Sequence, residues 1–522
     1  MGVGNIADAV EKKAADVVEI KHESKPGKPL VSDRSTLKKA KKLRGLSDIR
    51  RFFYRNTEPV YFISATPFNL LGMDEWVRNW TFINLIDCFD GEHPNVFVPP
   101  EIEHEPFESI EDIVNYLLAH PAVKEFITER GPGGKAVFLM FDERTEELCK
   151  ELGLKVCFPS AKLRTGVDDK VETTRIADRA GVKCVPNVLA KVDSYEALRR
   201  VSKKLGDDLV IQTAYGDSGH TTFFVSNEND FRKHEEEIVE APEVKIMKRI
   251  RCRGSALEAC VTKHGVICGP LMTELVGFKE LTPYRGGWCG NEVFAGAFDA
   301  KTRRNARKAA VAFGEELKEM GYRGYFEIDF LTDLDTGKVY LGECNPRITG
   351  ASSMTNLASF AHADAPLFLF HLLEWMRVNH EYDIEELNSR WADGRNIDSW
   401  SQLVVKHTDD TIDRITEAPR SGIWELDDDG GMHFVRSQTH RRTVQHENRA
   451  FWLRISGKGD YRYEGADLGI LVSPGRFMDE DFQLTPRAKA WIKGIRSQYK
   501  GEPIAGVQVP MNDPDFGGFK LL

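Results

Sequence analysis

The segment Tyr325-Phe326-Glu327-Ile328-Asp329-Phe330, a turn around Asp333 to Gly337, and then Val339-Tyr340-Leu341-Gly342-Glu343-Cys344-Asn345-Pro346-Arg347 decide the fold. Successive side chains of a strand point to opposite faces, so Phe326, Ile328 and Phe330 share one face and Tyr325, Glu327 and Asp329 the other. On the returning strand Glu343 and Asn345 share a face by the same parity. A hairpin would therefore gather two or three acidic side chains and an amide oxygen on one side of a sheet. Such a cluster is costly unless it binds a cation. Magnesium is the natural occupant, because it takes hard oxygen ligands and shares them with substrate phosphates. Arg347 can grip a phosphate or carboxylate through two parallel hydrogen bonds. Taken alone, the hairpin also reads as polar edge strands beside a proline turn.

Upstream, two strand-like segments, 209–214 and 221–225, flank Tyr215-Gly216-Asp217-Ser218-Gly219-His220. Small residues let backbone N–H groups approach phosphate oxygens, and Ser218, Thr221 and Thr222 add hydroxyls. The loop joins two strands and lacks a Gly-Lys-Ser/Thr ending, so it is neither a Walker A loop nor a dinucleotide fingerprint. A plain hairpin turn is its alternative. Further upstream, Val60-Tyr61-Phe62-Ile63, Ala136 to Phe141 and Leu154 to Phe158 are short apolar runs with helical patterns between them. That alternation predicts a doubly wound α/β domain over residues 55–165. Residues 301–320 carry an apolar stripe at Ala306, Ala310, Phe313, Leu317 and Met320, ended by Gly321, and read as a helix. Beyond residue 395 the texture is strand-rich and ends in a helical pattern at Thr485 to Tyr499.

Composition bounds the rest. A chain of 522 residues, 41% hydrophobic and 29% charged, is ordinary globular material of about three domains. Lys+Arg of 71 against Asp+Glu of 81 gives a net charge of −10, which disfavours nucleic acid as a partner. No apolar run reaches the ~20 residues of a membrane span, and the first residues are too charged for a signal peptide. The nine cysteines are scattered without a C-x-x-C pair, which suits reduced thiols and a cytoplasmic location. Residues 1–54 read as a polar tail followed by a basic helix around Leu37, Ala40 and Leu43.

In order and spacing these pieces resemble the ATP-grasp superfamily, and most closely its biotin-carboxylase-like branch, which also contains amino-acid and peptide ligases. The resemblance runs from about Tyr61 to the C-terminus. It implies a mixed α/β and α+β architecture. A Rossmann-like pre-ATP-grasp domain would span 55–165, and the ATP-grasp domain 166–380 with a lid at about 185–250. A strand-rich domain would follow at 381–522. It further implies that Lys170, Gln212, Gly216, Ser218, Gly219, His220, Lys248 and Ile250 contact ATP. Glu327, Glu343 and Asn345 would hold Mg2+, and Arg347 with Asn345 would serve the reacting groups. The stretch Tyr284 to Glu292 falls where such ligases shape the acceptor pocket, making Arg285, Trp288 and Glu292 substrate contacts.

The chemistry implied is attack of a carboxylate on the γ-phosphate of ATP, giving an acyl phosphate that an amine captures. Small-molecule acid and amine are the expected partners, and a homodimer the expected assembly. Two departures matter. Gln212 stands where the family usually has a second lysine, with Lys248, Arg249 or His220 as possible substitutes for its charge. The biotin-carboxylase stretch after the hinge is replaced by Glu274-Leu275-Val276-Gly277-Phe278-Lys279-Glu280-Leu281-Thr282. A biotin-carboxylase-type subunit and an ATP-binding regulatory protein that has lost turnover are the alternatives. Cys289 as a nucleophile is disfavoured because no His lies near it in sequence.

Overall fold

The computed structural model describes residues 42–214, 221–284, 286–357, 365–376 and 378–504. Leu37 and Ala40 of the expected basic helix lie outside them. Leu43 and Arg44 form a short strand beside His380 and Glu381, and the helix that follows, α1 (Gly45–Tyr54), buries Ile49 and Phe53.

The α/β domain is a parallel sheet of β1 (Val60–Ser64), β2 (Trp80–Asn84), β3 (Val96–Phe97), β4 (Lys135–Phe138) and β5 (Lys155–Val156), in the order β3-β2-β1-β4-β5. Strands β1, β2 and β4 are buried along their whole length, which is why they read as unbroken apolar runs. Between β1 and β4 the sequence pattern suggests only helix, yet Trp80–Asn84 is a strand. A five-residue apolar run has no periodicity to separate the two, and here the Trp80 and Phe82 rings settle it by packing on Phe62. Helices α2 (Ile110–Ala119), α3 (Pro121–Glu129), α4 (Glu143–Glu151) and α5 (Ala161–Asp168) complete this part. Asp169 then caps α6 (Lys170–Arg179) by accepting from the N–H groups of Val171 and Glu172, which fixes Lys170 at the first turn.

A second sheet, with its own core of residues such as Ile211, Phe223, Val225 and Ile246, contains β6 (Asn187–Ala190), β7 (Leu209–Gln212), β8 (Thr222–Val225) and β9 (Val244–Lys248). It is antiparallel, in the order β6-β9-β7-β8.

The largest sheet has ten strands: β10 (Cys252–Thr262), β11 (Gly265–Val276), β12 (Trp288–Val293), β13 (Gly324–Asp333), β14 (Val339–Asn345), β15 (Trp400–Lys406), β16 (Gly422–Leu426), β17 (Met432–Arg436), β18 (Arg449–Arg454) and β19 (Asp467–Pro474). Their order is β14-β13-β10-β11-β12-β15-β19-β18-β16-β17. The strand-rich C-terminal region thus continues the central sheet across residue 380, through pairing of β12 with β15. Helix α7 (Ala300–Glu319) lays Ala306, Ala310, Phe313 and Leu317 on Phe326, Ile328 and Phe330 of β13. Helix α8 (Pro486–Ser497) packs Trp491 and Ile495 on the C-terminal strands.

The β12–β15 joint depends on Gly290. Its φ is +136°, and a Cβ there would lie 1.9 Å from the Gln402 carbonyl oxygen. The neighbour is backbone and cannot turn away. Gly290→Ala is therefore expected to cost about 3 kcal/mol or more, read as a lowered urea midpoint or loss of soluble protein.

Candidate functional site

The apolar contacts with α7 fix which way β13 faces, and so turn Glu327 and Asp329 to the opposite side. The antiparallel register sets Asp329 across from Glu343 and Glu327 across from Asn345. It slips by one residue at Gly342, because Asp329 pairs with Glu343 while Phe330 pairs with Leu341. Such a bulge leaves one residue out of the ladder and re-aims its neighbours. The Gly342 carbonyl accepts instead from Lys245 Nζ of β9, at 2.8 Å.

These strand ends open on a cleft of about 530 Å³. Six of the residues singled out from sequence line it: Lys170, Trp288, Glu327, Glu343, Asn345 and Arg347. Lys170 Nζ lies 3.5 Å from Glu343 Oε2. Asn345 turns its amide N–H groups to Asp329 Oδ2 at 3.2 Å and Glu327 Oε2 at 3.5 Å, and its oxygen accepts from Arg347 Nη2 at 2.9 Å. Trp288 lies against Gly350, where a Cβ would meet the indole at 2.2 Å, so the glycine makes room for the ring.

Residues that sequence reasoning does not place in the site join them. Asp329 shares its face with Glu327, and the parity argument already points to it. Glu274 of β11 also lines the cleft, as do Arg164 and Asp168 of α5 and Glu111 of α2. Asp168 Oδ2 stands 3.7 Å from Arg164 Nη1 and 3.8 Å from Arg347 Nε. These depend on which helix and strand become neighbours, and no local pattern announces that.

The cluster is electrostatically loaded. Burial, then Glu258 across the strand, with Glu274 adding to them, hold the Glu327 carboxyl well above its ordinary range. Burial and the charges of Glu327, Glu274 and Glu343 do the same to Asp329. Burial and Glu343 push Glu274 up to about 7. Carboxyls in this state hold protons until a cation relieves them. Among the described residues no three His, Cys, Asp or Glu side chains close around one point. An open set of hard oxygens is nevertheless what magnesium takes when it completes its shell with water and phosphate, so the donors fit that ion.

Behind the cleft, Glu258 of β10 is fully buried and accepts from Thr349 Oγ1 at 3.2 Å, from Ser352 Oγ and from Tyr325 OH. Asn69 Nδ2 donates to the Thr349 carbonyl at 2.9 Å. The segment after Arg347 is therefore gripped by two separate elements.

Other candidates fall elsewhere. Gly216, Ser218, Gly219, His220 and Arg285 lie outside the described residues. Glu292 is not at the cleft. Its carboxylate is fully buried and accepts from the N–H groups of Phe477 at 2.7 Å and Met478 at 2.9 Å, from Ser401 Oγ and from Arg476, so it anchors the C-terminal chain. Gln212 donates to Thr222 Oγ1 at 3.2 Å, while its Oε1 is buried without a partner. Lys248 is exposed and its N–H donates to the Pro186 carbonyl. Ile250 joins a small apolar cluster with Val185, Met247 and Tyr340. The lysine directly across from Gln212 is Lys245, whose buried amine is drawn below its ordinary range by desolvation. Cys289 is buried and its thiol is pushed up to about 12, which removes it as a nucleophile. All nine cysteines are unbridged, and no helix among the described residues is long and apolar enough to cross a membrane.

The fold is the ATP-grasp fold seen in biotin carboxylases. The chain superposes on the biotin carboxylase of Campylobacter jejuni in a β,γ-ATP complex with a TM-score of 0.55 and 14% identity, covering 85% of this chain and 92% of that one. The biotin carboxylase domain dimer of Hydrogenobacter thermophilus 2-oxoglutarate carboxylase, with MgADP, ADP and bicarbonate, gives 0.53 and 14%, covering 86% and 92%. The N5-carboxyaminoimidazole synthase of Aspergillus clavatus, with ADP and 5-aminoimidazole ribonucleotide, gives 0.51 and 12%, covering 84% and 97%. In sequence, the 2-oxoglutarate carboxylase small subunit of Hydrogenobacter thermophilus is 25% identical over 237 residues, 42% of this chain. That match spans 46% of the relative, less than half its length. No family model matches.

The buried Glu258 gives stability a pH dependence. Burial raises its carboxyl from an ordinary 4.5 to about 7 despite donors from Ser352, Thr355, Tyr325 and Thr349. Below 4.5 the group is protonated both folded and unfolded and costs nothing. As pH rises from 4.5 to 7 the unfolded form ionises first, so stability falls by roughly 3 kcal/mol and stays low above 7. Unfolding free energies of wild type and Glu258→Gln at pH 5 and pH 8 should differ in slope by about that amount, with the variant flatter.

Proposed function

We propose that the protein is an ATP- and magnesium-dependent ligase that activates a small carboxylic acid or amino acid as an acyl phosphate and passes it to an amine, releasing ADP and phosphate. The observation that carries this reading is the single cleft in which Glu327, Asp329, Glu343 and Asn345 face Lys170 and Arg347. A set of hard oxygens beside two cationic side chains matches what phosphoryl transfer asks of a protein, namely positioning and charge neutralisation.

Each residue has a part in that chemistry. Glu343, Asp329, Glu327 and Glu274 would hold magnesium, which when bound supplies neutralisation of the phosphate oxygens. Lys170, at the first turn of α6, brings its ammonium to the phosphate side of Glu343. Lys245 stands directly across from Gln212 on the neighbouring strand, with its amine donating to the Gly342 carbonyl. Arg347 donates to Asn345 through Nη2, which orients its guanidinium towards the acid and the acyl phosphate. The substrate carboxylate oxygen forms a bond to the γ-phosphorus as the bond to the β-phosphate bridging oxygen breaks. The amine then attacks the acyl carbon and phosphate leaves.

A second reading has bicarbonate as the acid and a carboxyl group as what is transferred. It is supported by the similar proteins, which include biotin carboxylases and a 2-oxoglutarate carboxylase subunit. The Hydrogenobacter thermophilus neighbour is described as a dimer, and a homodimer is the assembly we propose, checked by sedimentation.

The test is ADP and phosphate release from MgATP with pools of amino acids, with simple carboxylic acids plus amines, and with bicarbonate plus biotin or another acceptor, products being read by mass spectrometry. Amino-acid-dependent release with a condensed product supports the ligase. Release only with bicarbonate moves the assignment to carboxylation, and silence in every arm with ATP still bound favours the regulatory reading. Glu343→Gln and Asp329→Asn should each lower turnover about 100-fold or more while leaving the circular dichroism spectrum unchanged. Undiminished ADP release by either folded variant would remove that residue from the metal site.

A further inference from the structure

Outside the cleft, Arg441 is 5% exposed. Among the described residues its guanidinium donates only from Nη2, to the Ser353 carbonyl oxygen, and its Nε is buried with no acceptor. Among the described residues no carboxylate pairs with it, and burial is the sole influence on its proton affinity, drawing it down to about 9. The guanidinium therefore remains a cation at neutral pH. An unpaired cation removed from water costs several kcal/mol even after relaxation, and folded proteins seldom leave such a charge uncompensated.

Arg441 lines a cavity of about 20 Å³ together with polar residues and the apolar side chains of Phe68, Leu71, Phe451, Leu453, Ile470 and Val472. This cavity shares no lining residue with the catalytic cleft. A water-sized site needs ~10–15 Å³, so there is room for one small ion and none for a nucleotide or an amino acid. Besides Arg441 the polar lining is Glu75, Ser353, His440 and Arg442. Glu75 stands at the rim, but its carboxylate is committed to His440 Nε2 at 2.8 Å and Arg442 Nη1 at 3.0 Å. With Arg441 and Arg442 against one carboxylate, the local balance stays positive.

We propose that this cavity binds a small monovalent anion, halide or small planar oxyanion, on the Arg441 guanidinium. The site lies between the α/β domain, which supplies Phe68 to Glu75, and strands β18 and β19. Through Arg441 the ion is tied to the segment that follows Arg347. Ser353, whose carbonyl the guanidinium holds, donates through Oγ to Gln402, and Gln402 Nε2 donates to the Gly350 carbonyl at 3.0 Å. Filling the cavity fixes the guanidinium and with it the backbone beside the catalytic arginine.

The test uses the full chain exchanged into gluconate, an anion too large for the cavity, at constant ionic strength. Chloride, formate or bicarbonate is titrated while the melting temperature is followed. A saturable rise of about 3 °C with a small anion, absent from Arg441→Met, is the expected result. Chloride acting alone identifies a halide site, whereas formate or bicarbonate acting alone identifies an oxyanion site. Because Arg441→Met could fail to fold, wild-type crystals grown in bromide or in formate give an independent reading. An anomalous peak or planar density within about 3.5 Å of the guanidinium nitrogens supports the site. Melting temperatures equal in gluconate and all three small anions, together with water alone at Arg441 in both crystals, would overturn it.

Discussion

The hydrogen-bond ladder between β13 and β14 holds Asp329 and Glu343 opposite one another, and the rest of the molecule is arranged around that juxtaposition. Carboxylates brought this close repel, and burial around Asp329 raises the cost of its charge. What keeps them together is the other face of the same strand, where Phe326, Ile328 and Phe330 are locked into α7. Apolar burial worth a few kcal/mol per side chain thereby stores electrostatic tension at the cleft. A cation bound among these oxygens, as proposed above, would release it, which is one physical route by which affinity for a charged ligand is built into a fold.

Much of this is legible in the order of the residues alone. The alternation of Glu327 and Asp329 with aromatic and aliphatic residues needs only the two-residue period of a strand, and the parity of Glu343 with Asn345 needs no more. Lys170 is found through the resemblance to the ATP-grasp superfamily, in whose setting Asp169-Lys170-Val171 falls, and the Asp169 cap that fixes it at the first turn of α6 is seen only in the structure. What stays hidden depends on packing between elements. Glu274 lies on a strand whose position beside β10 no local pattern reveals, and Arg164, Asp168 and Glu111 enter from helices of another domain. Glu292 misleads for the opposite reason. It sits in a glycine-rich stretch that resembles a pocket wall, but the chain returning at Phe477 and Met478 takes up its carboxylate. Trp80–Asn84 hides as a strand because full burial erases alternation.

The neutral residue at Gln212 looks like a deficit in one dimension and much less so in two. Its cross-strand neighbour Lys245 alternates with Val244 and Ile246, which enter the core of the second sheet, so its amine emerges on the face turned to β14.

The bulge at Gly342 has a mechanical side. Next to it, the Leu341 N–H donates to the Lys183 carbonyl at 2.8 Å, and Lys245 reaches the Gly342 carbonyl itself. The second sheet, through Lys245, and the segment that leads into it, through Lys183, are thus tied to β14 at two consecutive residues, immediately before Glu343. Displacing either hydrogen-bond partner would therefore strain the strand that carries the carboxylates at the residues next to Glu343.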